Sequence, residues 1–128
     1  MNVFKLTRHK VKEAYFFENT EIEKKNNIEV GVGGNILIPK EPETDKTVVI
    51  QLNFSFGKKD ERLFLHLETI SVFETEERTP KITEEIVQKE CLSIALSQLR
   101  KTVKMVTEAY GMPPLDLPPF QGETSIEN

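Results

Sequence analysis

Tryptophan is missing from this chain, and cysteine occurs once, at Cys91. A single thiol excludes an intrachain disulfide and any multi-cysteine metal site. Only two histidines occur, His9 and His66. Both fall in strand-like segments, and neither has a Cys or another His at metal-ligand spacing. They read as packing or surface residues, and no metal site is expected. Long apolar runs are also missing. The longest is as short as Ala14-Tyr15-Phe16-Phe17, whereas a membrane-spanning helix needs ~20 apolar residues. Met1 to Arg8 contains no apolar stretch of the kind a signal peptide carries, so the cytosol is the expected compartment. There is no basic excess: 17 Lys and Arg stand against 21 Asp and Glu, for a net charge of -4. That balance argues against a nucleic-acid binder. The run Gly31-Val32-Gly33-Gly34 lacks the Gly-Lys-Ser/Thr that completes a phosphate loop and the third spaced Gly of a dinucleotide fingerprint. No catalytic constellation appears, so neither an enzyme nor a cofactor is expected.

The chain has 128 residues, 38% hydrophobic and 30% charged, which suits one folded domain and not two. Residues 1–78 read as a sheet. Phe4 and Leu6 alternate with polar neighbours, whereas Val11, Tyr15 and Phe17 fall on the opposite parity. Side chains alternate with a period of two, so this change predicts a bulge or bend. Ile28, Val30, Val32, Ile36 and Ile38 share parity in a second run. In a third, Val48, Ile50, Leu52, Phe54 and Phe56 face one way, and Gln51, Asn53 and Ser55 the other. Gly57 to Arg62 reads as a hairpin turn. The fourth run has Leu63, Leu65 and Leu67, then Ile70 and Val72 on the other parity. Short connections favour antiparallel pairing. Pro39 to Lys46, with two prolines and mixed charge, is the clearest loop.

The period then changes. Thr83 is a plausible N-cap, with Glu84 and Glu85 in the first turn to meet the helix dipole. No Pro or Gly follows until Gly111, a C′ stop, and Pro113 forbids continuation. A helix over 83–110 would be ~42 Å long. Leu92, Leu96, Leu99, Val103, Val106 and Tyr110 are spaced 4, 3, 4, 3, 4, a heptad-like seam. Val87, Cys91, Ile94 and Ala95 form a second apolar stripe, on which Cys91 reads as a buried structural thiol. Two apolar faces call for two partners. The sheet is one. The other is expected to be a second copy of the chain, with Leu92, Leu96, Leu99, Val103 and Val106 as the oligomer contact. The fold class is therefore α+β: a four-stranded antiparallel sheet, one long helix, and a crossover segment. That last segment, residues 111–120, holds four prolines among Met112, Leu115, Leu117 and Phe120. Proline fixes φ and removes donors, so this is a stiff, extended, apolar ribbon that must lie against something. Residues 121–128 form an acidic, polar tail.

Leu99-Arg100 and the stretch Gly111-Met112-Pro113-Pro114-Leu115-Asp116-Leu117-Pro118-Pro119-Phe120 resemble the end of SecB. The opening is also similar, with Phe4, Leu6, Arg8, Lys12-Glu13 and Phe16 in the place of that family's first strand. The resemblance implies an ATP-independent chaperone that holds unfolded polypeptide as a homotetramer, a dimer of dimers. Clients would lie in apolar grooves between sheet, helix and crossover ribbon. The implied client contacts are Met112, Leu115, Leu117 and Phe120, with Phe54 and Phe56 of the third strand. The implied partners are precursor polypeptides for protein transport, the motor SecA, for which Glu13 is a possible contact, or an antitoxin. The alternatives are a dedicated chaperone of one antitoxin in a toxin–antitoxin system and a non-chaperone assembly adaptor. SecB continues past its crossover into a second helix, for which Gln121 to Asn128 is a poor candidate. The groove is expected to be more open, or completed by another subunit.

Overall fold

A computed structural model describes residues 3–21, 28–58, 62–78 and 80–120. Lys59 to Glu61 of the expected turn and the polar tail lie outside the described residues. Four strands, β1 (Phe4–Glu18), β2 (Val30–Leu37), β3 (Thr47–Gly57) and β4 (Leu63–Thr75), form one antiparallel sheet in the order β1-β4-β3-β2. The first strand thus closes on the last, and β1 and β2 are the two edges. Gly57 has φ of 80° and leads into the β3–β4 turn, where a side chain would collide with the Leu63 carbonyl. Only glycine meets both conditions without strain.

The parity change in β1 is real and takes two bulges. The register against β4 slips between Leu6 and Arg8 and again between Val11 and Glu13. Cross-strand partners share a face, so Phe4, Leu6, His9, Val11 and Phe16 lie on the helix side. Glu13, Tyr15 and Phe17 lie on the outer face. Strand β4 pairs with β3 without a slip. The expected switch to Ile70 and Val72 is therefore corrected: Thr69 and Ser71 continue the buried face, and Ile70 and Val72 are on the outer one. Ser71 serves there because its facing group is polar, whereas Thr69 Oγ1 has no hydrogen-bond partner among the described residues. His9 Nδ1 lies 2.9 Å from Ser71 Oγ, and His9 Nε2 lies 3.0 Å from Thr102 Oγ1 on the helix.

The helix is continuous from α1 (Glu84–Val87) through a π-helical turn at Gln88–Leu92 into α2 (Ser93–Ala109). Thr83 Oγ1 accepts from the Ile86 N–H at 3.2 Å and caps the first turn. At the other end, the Gly111 N–H donates to the Glu108 carbonyl and the Met112 N–H to the Thr107 carbonyl, both at 3.0 Å. Gly111 has φ of 86°. This reciprocal pair is the Schellman stop that a positive-φ glycine permits.

The core lies between the sheet and the helix. It joins Val48, Ile50, Leu52 and Phe54 of β3 and Leu65, Leu67 and Phe73 of β4 to Val87, Cys91, Ala95, Leu96, Leu99 and Val103. Three residues of the expected oligomer seam thereby lie in the chain's own core. Leu99 and Val103 retain no exposed surface and Leu96 only 5%, while Leu92 and Val106 are half-buried against the same core. The heptad-like spacing and the Cys91 stripe are one broad face, because a helix sunk on a sheet buries a stripe wider than a coiled-coil seam. The outward face is mostly polar, with Lys101, Lys104 and Glu108 exposed beside Met105. Among the described residues, no helix is long and apolar enough to cross a membrane.

Candidate functional site

The ribbon after Gly111 folds back over the helix end. The Leu115 N–H donates to Thr107 Oγ1 at 2.9 Å. Thr107 is fully buried, and its own hydroxyl proton goes to the Val103 carbonyl at 2.9 Å. A second, exposed tie joins Lys104 Nζ to Asp116 Oδ2 at 3.6 Å. Leu115 and Leu117 share parity in an extended segment and turn the same way. Both are half-buried against the core, as is Phe120. The Phe120 ring stands 6.2 Å from that of Phe54, centroid to centroid.

The ribbon leaves an apolar hollow at each of its ends. The first, about 470 Å³, is lined by Phe16, Ile28, Phe56, Leu63, Tyr110 and Met112, with Glu18 and Arg62 as its polar members. Phe16 and Tyr110 stack at 4.9 Å and form its back wall. The second, about 550 Å³, lies between the edge strand β2 and the helix, where Val30, Val32, Ile36, Leu92, Leu96 and Phe120 line it. Val30 and Val32 are 48% and 41% exposed, an unusual amount for β-branched residues that face a helix. As an edge strand, β2 also has one side of its backbone without a sheet partner among the described residues, a side that can accept another extended chain.

The residues expected to meet a client therefore divide. Met112 and Phe56 line the first hollow and Phe120 the second. Leu115 and Leu117 fasten the ribbon to the core between them. Phe54 is fully buried beneath Phe120 and has no surface to offer. Leu92 and Leu96, expected at an oligomer seam, instead line the second hollow. Phe16, Ile28 and Tyr110 line the first hollow although the sequence marked none of them as a client contact. The Gly111 stop was their one signal, since a chain that reverses there must cross whatever flanks the last helical turn.

On the opposite face of the sheet, Glu13 projects beside His66 and Glu68. His66 Nε2 lies 3.2 Å from Glu68 Oε2 and 3.4 Å from Glu13 Oε1. Hydrogen bonds from His66 and with Glu13 hold the Glu68 carboxyl below the usual carboxylate range. Cys91 lies in the core, where burial, with Glu90 nearby, pushes its thiol up to about 12. A thiol so hard to ionise is a poor nucleophile.

This arrangement of a four-stranded antiparallel sheet and one long helix is similar to that of two solved structures. A SecB-like chaperone of Mycobacterium tuberculosis, solved in complex with a ChAD peptide from the HigA1 antitoxin, matches with a TM-score of 0.65. The match spans 90% of this chain and 89% of that one, at 13% sequence identity. A protein of unknown function from Streptococcus agalactiae matches with a TM-score of 0.51 over 90% of this chain and 96% of its own, at 20% identity. No protein-family profile and no curated protein matches the sequence. The resemblance read from the ribbon thus holds at the level of the fold.

Proposed function

We propose that this protein is a holdase: it binds extended, apolar segments of unfolded polypeptides in the two hollows beside the ribbon. The observation that carries this reading is the pairing of the second hollow with the edge of β2, which has no sheet partner among the described residues. Apolar walls accept many side chains without reading sequence, and a free strand edge can supply main-chain hydrogen bonds that any extended peptide can meet. The ribbon is fastened in advance by its prolines and by Thr107, so little ordering is required of the chaperone when a client arrives. A client segment that buries ~500 Å² of apolar surface gains about 12 kcal/mol gross at ~25 cal/mol/Å². Ordering the client consumes much of that, which leaves micromolar binding per groove. Assembly of several copies would multiply the grooves and raise the avidity. Holding is equilibrium binding to the unfolded state and requires no nucleotide.

The test is suppression of aggregation of unrelated unfolded proteins, followed by turbidity. A holdase keeps several clients soluble at near-equal subunit ratio, whereas an assembly adaptor protects none. A narrower form of the reading, a chaperone dedicated to one antitoxin, draws on the antitoxin peptide held by the Mycobacterium tuberculosis protein. It predicts protection of one antitoxin and indifference to other clients.

A further inference from the structure

We propose that Glu13, His66 and Glu68 form a binding site for a first-row divalent cation, zinc in the first instance, on the outer face of the sheet. The second β1 bulge places Glu13 directly opposite Glu68, and Tyr15 opposite His66. The three side chains therefore project from two paired strands, a rigid platform. One ligand atom from each lies within 4.8 Å of the others. The separations suit the ion: two ligands each ~2.1 Å from a tetrahedral zinc stand ~3.4 Å apart. The His66 nitrogen is 3.2 Å from the Glu68 oxygen and 3.4 Å from the Glu13 oxygen. Bulges that re-aim a side chain are common beside functional sites.

Charge favours a cation. Two carboxylates converge on the same imidazole nitrogen, Nε2 of His66. Lys12 is near enough to act on Glu68 through space. His66 must present a bare Nε2 to the metal, so its remaining proton resides on Nδ1. The Phe64 ring lies nearly parallel to the imidazole, at 8°, with centroids 6.5 Å apart. A hollow of about 410 Å³, lined by Glu13, Tyr15, Phe17, Phe64 and His66, opens at the same place. It leaves room for the water or outside ligand that completes a three-ligand zinc site. Sequence spacing could not show this set, because Glu13 comes from the opposite end of the sheet-forming half of the chain.

The experiment is calorimetric titration of the full chain with zinc chloride near neutral pH, with Co²⁺ absorption as a second readout. One ion per chain is expected. Both Glu13→Gln and His66→Ala should weaken binding by at least about tenfold, since even outer partners of metal ligands contribute that much. Glu13 is exposed, so its variant tests the site even where His66→Ala folds poorly. Zinc binding that is absent from the wild type, or undiminished in Glu13→Gln, overturns the proposal. A thiolate charge-transfer band in the Co²⁺ spectrum also overturns it, because the ion would then sit at Cys91.

Discussion

The backbone N–H of Leu115 donates to the hydroxyl of Thr107 at 2.9 Å, and this bond, with the packing of Leu115 and Leu117, holds the ribbon on the last turns of the helix. That threonine has no exposed surface. Thr107→Val keeps the shape and removes the acceptor. It should cost about 1 kcal/mol of stability and speed hydrogen exchange at the Leu115 amide. Thr107→Ser should restore both. Unchanged exchange at Leu115 in the valine variant would show that leucine packing alone holds the ribbon.

Leu99 sits at the centre of the sheet–helix core. Leu99→Ala should lower the urea-unfolding free energy by about 2–5 kcal/mol, independently of protein concentration. A loss seen only as concentration-dependent dissociation would place Leu99 at a contact between copies instead.

Cys91 should be silent to thiol reagents in the folded protein and react fully in urea. Its folded pKa is raised to about 12 from about 9. The unfolded chain therefore releases this proton first, and the related stability is complete below about pH 9 and fades between there and about pH 12. Cys91→Ala should remove that part of the alkaline loss. An alkaline profile identical in wild type and variant would exclude Cys91 as a contributor.

His9 bridges β1, β4 and the helix in its neutral form. The Thr102 hydroxyl donates to the Gln98 carbonyl at 2.7 Å, which leaves its lone pairs for the His9 Nε2–H, while Nδ1 accepts from Ser71. Burial lowers the His9 pKa from its ordinary 6.5. The unfolded chain then binds this proton more readily, so the stability present above about pH 6.5 should fade as the pH falls below it. Titration of the imidazole by NMR checks the direction. A His9 value at or above 6.5 contradicts it.

Local chemistry was legible in the sequence and long-range register was not. Thr83 and Gly111 mark the helix ends because caps depend on neighbouring residues. The alternation from Val48 to Phe56 marks a half-buried strand for the same reason. That β1 closes on β4 is not encoded in any window. Nor is the helix face that meets the sheet, so Leu99 and Val103 looked available to a second copy when the chain's own sheet covers them. At the site, the ribbon was visible through its prolines and apolar residues. Its surroundings, Phe16, Ile28 and Tyr110, come together only once the sheet is assembled. Phe54 was legible as apolar but not as already covered by Phe120.

The central claim is that unfolded polypeptide lies beside the ribbon, and site-specific photo-crosslinking tests it most directly. In a Cys91→Ala background, a benzophenone is attached through Met112→Cys at the first hollow, or through Glu74→Cys on the outer face of the sheet. An unfolded client should crosslink strongly from position 112 and hardly at all from position 74. Equal capture at both positions, or capture from the outer face alone, would contradict the account.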